Sequence, residues 1–411
     1  MNSTDQNKKI VLITTGQPSC NPRIVKEADT LSNAGFDVTV LYSFFIQWAQ
    51  ENDKFLLKNV LWKYKMVGGS RGDNKLLYFF TRLRFKINRI VNRYVGNKFL
   101  LAERTQARTY DELLFAAKKI KADWYIGHNL GALSIAVNAA KYNNAKAGFD
   151  FEDYHRGENN EAKKEEIDRI IYLENKYVIQ LDYISAASPM IAEKIGDHFP
   201  FQKKKITTLL NCFPLSQQPP FREKAADDAS LQLFWFSQTI GLNRGLEILI
   251  EALVEMNDPD IHLTLAGYCN NEFKQYLDKT AKSISSRLHL AGIIPPGELP
   301  AFASRFDVGL ALELTTPENR NICLTNKVFT YLMGGNAILL SNTNMQLVFN
   351  QSYQIGQSFK SNDLLDLMGA ISCYQNLTNL RKQRLRNHYL ASETFNWEKE
   401  SIKLIDSINK F

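Results

Sequence analysis

Short apolar runs alternate with amphipathic stretches along most of the chain. KIVLITT (9–15) is a continuous apolar run ending at Gly16, the pattern of a strand buried on both faces. Asn21-Pro22 then predicts a helix start, with Asn as the cap and Pro at the first helical position, for a helix reaching Ala34. DVTVLY (37–42), DWYIG (123–127), AKAGFD (145–150), DYISA (182–186) and a short run at 206–210 repeat the strand pattern. Helical patterns fall at 131–142, 158–179 and from Pro189, and a long basic helical region occupies roughly 74–121. The stretch 211–230 holds Pro214, Pro219 and Pro220 and turns polar, which reads as a linker. The alternation then restarts, with strands at 231–237, 261–267, 287–292, 307–313 and 336–341 separated by helices. This pattern predicts parallel sheets covered by helices on both faces. The fold class is therefore α/β, with two doubly wound Rossmann-like domains facing across a cleft and ligands at the strand C-termini. The expected boundaries are 1–212 for the first domain, 213–230 for the linker, 231–385 for the second domain and 386–411 for a C-terminal helix crossing back.

Composition narrows the class. The 411 residues are 45% apolar and 23% charged, which suits two folded domains and excludes wholesale disorder or a fibrous repeat. No run approaches the roughly 18 apolar residues of a membrane span, and IVLI near the N-terminus is too short for a secretory segment. The five cysteines are scattered without a CxxC, so neither a disulfide framework nor a zinc site is expected and a reducing cytoplasm fits. The net charge of +7 is mild but uneven: eight basic residues and one acidic residue, Glu103, lie between Lys75 and Arg104. Read as helix, Arg82, Arg84, Lys86 and Arg89 form a basic stripe beside an apolar one that includes Leu76, Phe79, Phe80 and Ile90. That is the pattern of an interfacial helix contacting an anionic membrane surface. The rival is a helix packed on its own domain with a solvated basic face. Nucleic acid is the other anionic partner, but no nucleic-acid module accompanies the stripe.

Several catalytic motifs are absent: GxxxxGK[ST], a GxGxxG after the first strand of either half, HExxH and GxSxG. Asp258-Pro259-Asp260 sits before a strand and reads as turn chemistry, so no metal-dependent sugar-nucleotide site is expected. In the second half, Ser237, Gln238 and Arg244 fall between a strand and a helix, where a cation and free backbone N–H groups make an anion site. A second such cradle follows the strand at 307–313, where Thr325, Asn326 and Lys327 open a helix. Two cradles in one domain suit a diphosphate. In the first half, His128 and Asn129 end one strand, and Asp150, Glu152, Asp153 and His155 end the next. A histidine and carboxylates at strand C-termini favour a reaction site. The bland alternative for His128 is a core histidine bonded to the backbone.

TTGQPSCNPRIVKEADTLSNAGFDVTVL, YIGHN, FDFEDYHRGE, FSQTIGLNRGLE, LHLAGIIPPGELPAFASRFDVGLALE and LTNKVFTYLMGGNAILLSNT together resemble the glycosyltransferases of the GT-B fold, in family 4 of retaining, nucleotide-sugar-dependent enzymes. The resemblance runs from about residue 9 to 345. It implies that Gly16 lies in the loop over the reacting centre, that His128 stands near the transferred sugar, and that Arg244 grips the donor diphosphate. It implies that Thr325 and Asn326 hold the distal phosphate and that Ile293 and Ile294 hold the nucleobase. It implies no cofactor, the nucleotide diphosphate sugar being a substrate. Many relatives also extend saccharides on a lipid diphosphate and dock on the membrane through the first domain, which implies a cytoplasmic, peripheral enzyme with a lipid-linked acceptor.

Two positions depart from the family. Its phosphate-binding Arg is Gln238 here, and its ribose-binding Glu is Thr330, with Ile322 in place of the first Glu of the pair. Glu318 and Asn319 are candidates to cover the sugar, and Arg320 or Lys327 to replace the lost charge. The departures leave two competing readings open, a catalytically silent homologue acting as a binding subunit and a sugar-nucleotide epimerase.

Overall fold

The computed structural model describes residues 8–410, which divide into two compact units. One unit runs to Leu209 and resumes at Ser401; the other is Leu210–Glu400.

The first unit contains β1 (Lys9–Thr14), α1 (Pro22–Asn33), β2 (Asp37–Ser43), α2 (Gln47–Leu56), β3 (Lys63–Val67), α3 (Lys75–Val95), α4 (Leu101–Gln106), α5 (Tyr110–Lys119), β4 (Trp124–His128), α6 (Leu130–Asn143), β5 (Lys146–Phe151), α7 (Lys164–Tyr177), β6 (Tyr183–Ala186), α8 (Pro189–His198) and β7 (Ile206–Thr208). Its strands form one parallel sheet in the order β3-β2-β1-β4-β5-β6-β7. The second unit contains β8 (Leu231–Ile240), α9 (Leu246–Met256), β9 (Ile261–Cys269), α10 (Asn271–Thr280), β10 (Leu288–Gly292), α11 (Leu299–Ala303), β11 (Val308–Ala311), α12 (Glu318–Ile322), α13 (Asn326–Gly334), β12 (Ala337–Ser341), α14 (Asn344–Tyr353), β13 (Gly356–Phe359), α15 (Leu364–Ser372) and α16 (Leu377–Glu393). Its parallel sheet is ordered β10-β9-β8-β11-β12-β13. A last helix, α17 (Trp397–Lys410), returns the chain to the first unit, where Leu404 and Ile408 enter the core with Ile10, Leu12, Ile24 and Trp124.

In each sheet the strand order reverses beside the unit's first strand, between β1 and β4 and between β8 and β11. Loops leaving the strands at such a switch point diverge, which is where α/β sheets commonly bind ligands. Local signals fix their starts and stops. Asn21 caps α1 by accepting from the Ile24 N–H at 3.2 Å, with Pro22 at the first helical position. Gly335 ends α13 at φ 68°, a left-handed conformation that glycine adopts without a Cβ penalty.

The alternation expected from sequence is present, with additions. The strands β3 and β13 and the helices α2 and α12 were not expected, and α3, α4 and α5 divide the region read as one helical stretch. β3 and β13 are the outermost strands of their sheets. An edge strand is short and half-solvated, and KYKMV and GQSF therefore lack the apolar run that marks a central strand.

Candidate active site

β1, β4 and β5 run in register, so Thr14, His128 and Asp150 lie side by side at the strand ends. Side chains alternate along a strand, and His128 shares the parity of Trp124 and Ile126, which face the core beneath α1. His128 is accordingly buried against α1, with Nε2 2.8 Å from Glu27 Oε2 and Nδ1 3.5 Å from Asp150 Oδ2. Asp150 in turn takes two hydrogen bonds from Arg23, at 2.6 and 2.8 Å, and one from Ser185 Oγ at 2.7 Å. Arg23 also donates to the Leu209 carbonyl at 2.9 Å. Two cations thus face two carboxylates with no solvent. Burial alone would lower the His128 pKa, but Glu27 and Asp150 outweigh it and hold the imidazole up at about 9. Burial alone would raise Asp150; the Arg23 guanidinium, with His128, keeps its carboxyl well below the usual range.

A consequence is testable. A histidine whose folded pKa lies above its unfolded value of about 6.5 adds stability that is complete below that pH and is lost as pH rises through about 9. Melting temperatures between pH 6.5 and 9.5 should fall more steeply for the wild type than for His128→Gln. Parallel slopes would mean that His128 is neutral in the folded protein.

Beside this network lies an open cavity of about 380 Å³, wholly within the first unit. Its walls include Thr15, Asn129, Glu152, Asp153, His155 and Arg156. Asn129 ties the two switch-point loops together: it accepts from Thr15 Oγ1 at 2.7 Å and donates to Thr14 Oγ1 at 2.8 Å. Gly131 permits this approach, because a Cβ there would stand 2.8 Å from Thr15 Oγ1. Glu152 makes no hydrogen bond among the described residues, and burial, with Asp153 and Asp150 adding against the pull of Arg23, pushes its pKa up to about 7. A carboxyl poised near neutrality on a cavity wall is suited to proton transfer. His155 is buried with Nδ1 3.5 Å from Glu174 Oε1, and Arg156 pairs with the same carboxylate at 2.5 Å. Gly16, in the loop after β1, donates to Thr14 Oγ1 at 3.2 Å and accepts from the Ser43 N–H. Gln17 anchors that loop by donating to Asp53 at 3.0 Å and accepting from the Phe45 and Ile46 N–H groups.

In the second unit, β8 continues past a register shift to Ile240, so Ser237 and Gln238 lie on the strand instead of in the loop expected for them. Arg244, in the β8–α9 loop, donates to Ser237 Oγ at 3.2 Å. Arg320, on α12, donates to the Asn243 carbonyl at 3.2 Å and so joins the loops leaving β8 and β11. Neither guanidinium has a carboxylate partner among the described residues. Thr325 precedes α13, and its hydroxyl is buried there without a partner. The Asn326 side chain accepts from Asn211 at 2.6 Å. Two cations without carboxylate partners, joined through the Asn243 loop, and the N-terminus of α13 are each suited to an anion.

No family model and no curated protein sequence matches the chain. Solved structures do. HepE from Anabaena, in complex with UDP and glucose, is similar over 98% of this chain and 100% of its own, with a TM-score of 0.68 and 12% identity. Sucrose-phosphate synthase from Thermosynechococcus elongatus is similar over 98% and 99%, with a TM-score of 0.69 and 10% identity. The lipopolysaccharide outer core galactosyltransferase WaaB gives 0.60 and 13% over 98% and 99%. The chain has the GT-B fold of glycosyltransferases. Identities this low carry the fold alone.

Within that GT-B fold, several expected site residues stand elsewhere than the sequence suggested. His128 and Asp150 do not line the cavity; they form the buried ion network beneath it, while Glu152 and Asp153 reach its wall. Thr330 is fully buried in α13, with its hydroxyl donating to the Asn326 carbonyl at 2.9 Å, so it presents nothing to a ligand. Lys327 cannot replace the lost cation, because Glu313 neutralises it at 2.7 Å while its ammonium packs on the Trp235 ring. Asn319 is buried, whereas Glu318 is exposed. Ile293 is 72% exposed beyond the end of β10, with Ile294 half-buried. Gln238 is exposed.

The basic helix α3 is present and packs on its own unit with most of its basic residues exposed, as the bland reading expects, but its apolar stripe is exposed as well. Leu76, Phe79, Phe80, Leu83, Ile87, Ile90 and Tyr94 recur at helical spacing and are all at least half exposed. The side packed on the unit is the more polar one, with Tyr78, Thr81 and Asn92 buried. Arg108 holds it there, donating to the Gly68 and Phe44 carbonyls at 3.0 and 2.9 Å and to Thr81. Arg82, Lys86 and Arg89 flank the apolar stripe and are exposed. Arg84 does not join them: it turns inward to Glu112 at 2.6 Å and Asp111 at 3.4 Å. No helix among the described residues is long and apolar enough to cross a membrane.

Sequence reasoning missed Arg23, Glu27, Asn129's bridging role, Glu174 and Glu313. Strand parity would have found the first two, since it aims His128 at α1 and at residue 27 one turn beyond Arg23. The others are partners brought in from distant segments.

Proposed function

We propose that the chain transfers a sugar from a nucleotide diphosphate to an acceptor hydroxyl with retention of configuration, in the synthesis of a cell-surface saccharide or glycolipid. The observation that carries this reading is a GT-B fold whose β8–α9 loop and α12 hold Arg244 and Arg320, two guanidiniums joined through Asn243 and without carboxylate partners among the described residues. The barrier to transfer is departure of the diphosphate from an oxocarbenium-like sugar, and fixed donors aimed at the growing charge lower it. Arg320 takes the place of the cation lost at Gln238. UDP and UDP-glucose occupy the HepE structures, which makes a uridine nucleotide the first donor to try. Glu152 orients or deprotonates the acceptor hydroxyl, and His128 with Asp150 fixes the strand ends that present it.

The acceptor is lipid-linked, and α3 docks on an anionic membrane surface. An outward apolar stripe bordered by Arg82, Lys86 and Arg89 has that chemistry. Each engaged basic residue contributes about 1 kcal/mol, so attachment should be reversible and salt-sensitive. The protein should sediment with anionic vesicles and far less with neutral ones. Replacing Arg82, Lys86 and Arg89 by Glu should abolish the difference; equal weak binding to both vesicle types would refute the docking.

A silent binding homologue is the second reading, favoured by Gln238 and the burial of Thr330. Incubation with labelled nucleotide sugars and a lipid extract separates the two. Transfer of label into lipid supports catalysis, tight binding without release of nucleotide supports the silent homologue, and conversion of the donor without acceptor would indicate an epimerase.

A further inference from the structure

In the second unit, β9 ends between two irregularities of its neighbours. Phe236 pairs with Ala266 and Thr239 with Tyr268, so Ser237 and Gln238 together oppose Gly267. On the other side Leu290 pairs with Leu265 and Gly292 with Ala266, which makes Ala291 an extra residue. Bulges of this kind bend a strand and re-aim its side chains, and they gather beside binding sites. Gly267 allows the closest approach: at φ 140° a Cβ there would stand 2.1 Å from the Ser237 carbonyl oxygen. Tyr268 follows, and it is 59% exposed with no hydrogen bond and no ring contact among the described residues. Ile293, one residue past the Gly292–Ala266 pair, is exposed as well. The same Ser237 whose carbonyl meets Gly267 holds Arg244 through its hydroxyl at 3.2 Å. A cation and an exposed aromatic residue are thus joined through one serine, at strand C-termini where α/β sheets bind ligands.

The ribose of a nucleotide is commonly met by a carboxylate at the end of the second strand of such a unit. β9 is the second strand here, and its end reads Tyr268, Cys269 and Asn270. Cys269 is buried, and Asn270 caps α10 by accepting from the Phe273 N–H at 2.8 Å. Glu313, just past β11, is occupied by Lys327 at 2.7 Å.

We propose that Tyr268 stacks on the nucleobase of the donor and that the site leaves the ribose hydroxyls unread, so that deoxyribonucleoside diphosphates bind as tightly as ribonucleoside diphosphates and their sugars belong to the donor class. This rests on the donor reading above and specifies it. Arg244 and Arg320 take the diphosphate, and the base lies over the ends of β9 and β10. From the loop after β8 to β10 is two strand spacings, roughly 10 Å, within the reach of a nucleoside diphosphate. Every base has a π-face, so stacking holds it without a matched set of hydrogen bonds. A site that hydrogen-bonds a hydroxyl rejects the analogue lacking it, because its own polar group is left unpaired; where no such group stands, the deoxy analogue loses nothing.

Calorimetry of the full chain with UDP, GDP and ADP, each beside its deoxy counterpart, tests the assignment, with inorganic diphosphate as the control that has no base. For the base that binds best, the ribo and deoxy forms should agree within about threefold. Inorganic diphosphate should bind at least about tenfold more weakly. Tyr268→Ala should lose about tenfold for both nucleotides and leave inorganic diphosphate unchanged, while Tyr268→Phe should bind like the wild type. Glu272→Gln, which removes an exposed carboxylate from the first turn of α10, should not alter the ratio of ribo to deoxy affinity. A ribonucleotide preferred by about tenfold or more would overturn the unread ribose. Unchanged nucleotide affinity in Tyr268→Ala would overturn the stacking, and an equal loss in Tyr268→Phe would assign the contact to the hydroxyl instead of the ring. Inorganic diphosphate binding as tightly as the nucleotides would overturn base recognition and leave the anion site standing. Absence of binding by every probe, inorganic diphosphate included, would refute the donor site beneath the proposal. A dimer that Ile293→Glu dissociates would assign the exposed end of β10 to a second copy instead.

Discussion

Arg23→Ala is expected to lower the melting temperature of the first unit by on the order of 10 °C. The substitution leaves Asp150 and Glu27 buried with only His128 opposite them, and stranding one buried charge typically costs about 3–5 kcal/mol. The companion variant decides the mechanism. Replacing Arg23 by Met and Asp150 by Leu together removes one cation and one anion and leaves His128 paired with Glu27. It should cost less than Arg23→Ala alone, because the penalty lies in the unpaired charge and not in the lost side chain. A double variant that is worse than the single one would show that the pair contributes through hydrogen bonds to Ser185 and Leu209 instead.

Arg244→Ala is expected to reduce turnover by about 10²–10³ with the melting temperature nearly unchanged. Its only hydrogen bond among the described residues runs to Ser237, so little of the fold depends on it. On the proposed reading it meets charge that develops on the leaving diphosphate, so the loss should fall on kcat more than on KM. Arg320→Ala should behave alike if Arg320 has taken over for the cation replaced by Gln238. Near-normal turnover in the Arg244 variant would remove it from the donor site.

The central strands of both sheets and their helices could be read from the sequence because each is an apolar run bounded by caps or glycines. KIVLIT, WYIGH and AILLS are almost wholly buried, and burial on both faces writes itself into consecutive residues. The edge strands β3 and β13 carry no such run. The position of a site residue at a strand end was equally legible, whereas the direction of its side chain follows from strand parity. His128 lies where expected along the chain and faces the core, because its parity is that of Ile126. Thr330 shows the same limit on a helix: the residue sits where the sequence resemblance places a ribose contact, yet its hydroxyl closes on the Asn326 carbonyl one turn earlier. Which of the second unit's cations is neutralised was beyond sequence, since the partners that decide it, a carboxylate at Glu313 for Lys327 and only the Asn243 carbonyl for Arg320, come from other loops. On α3 the pattern of apolar and basic stripes was legible in full, and only the fold could say which stripe faces outward.

Calorimetric titration of UDP, GDP and ADP into the full chain addresses the donor cradle directly. One of them should saturate a single site per chain, with a Kd between about 1 µM and 1 mM, and the affinity should weaken in Arg320→Ala. Absence of saturable heat for all three nucleotides would contradict a nucleotide diphosphate site at Arg244, Arg320 and Thr325.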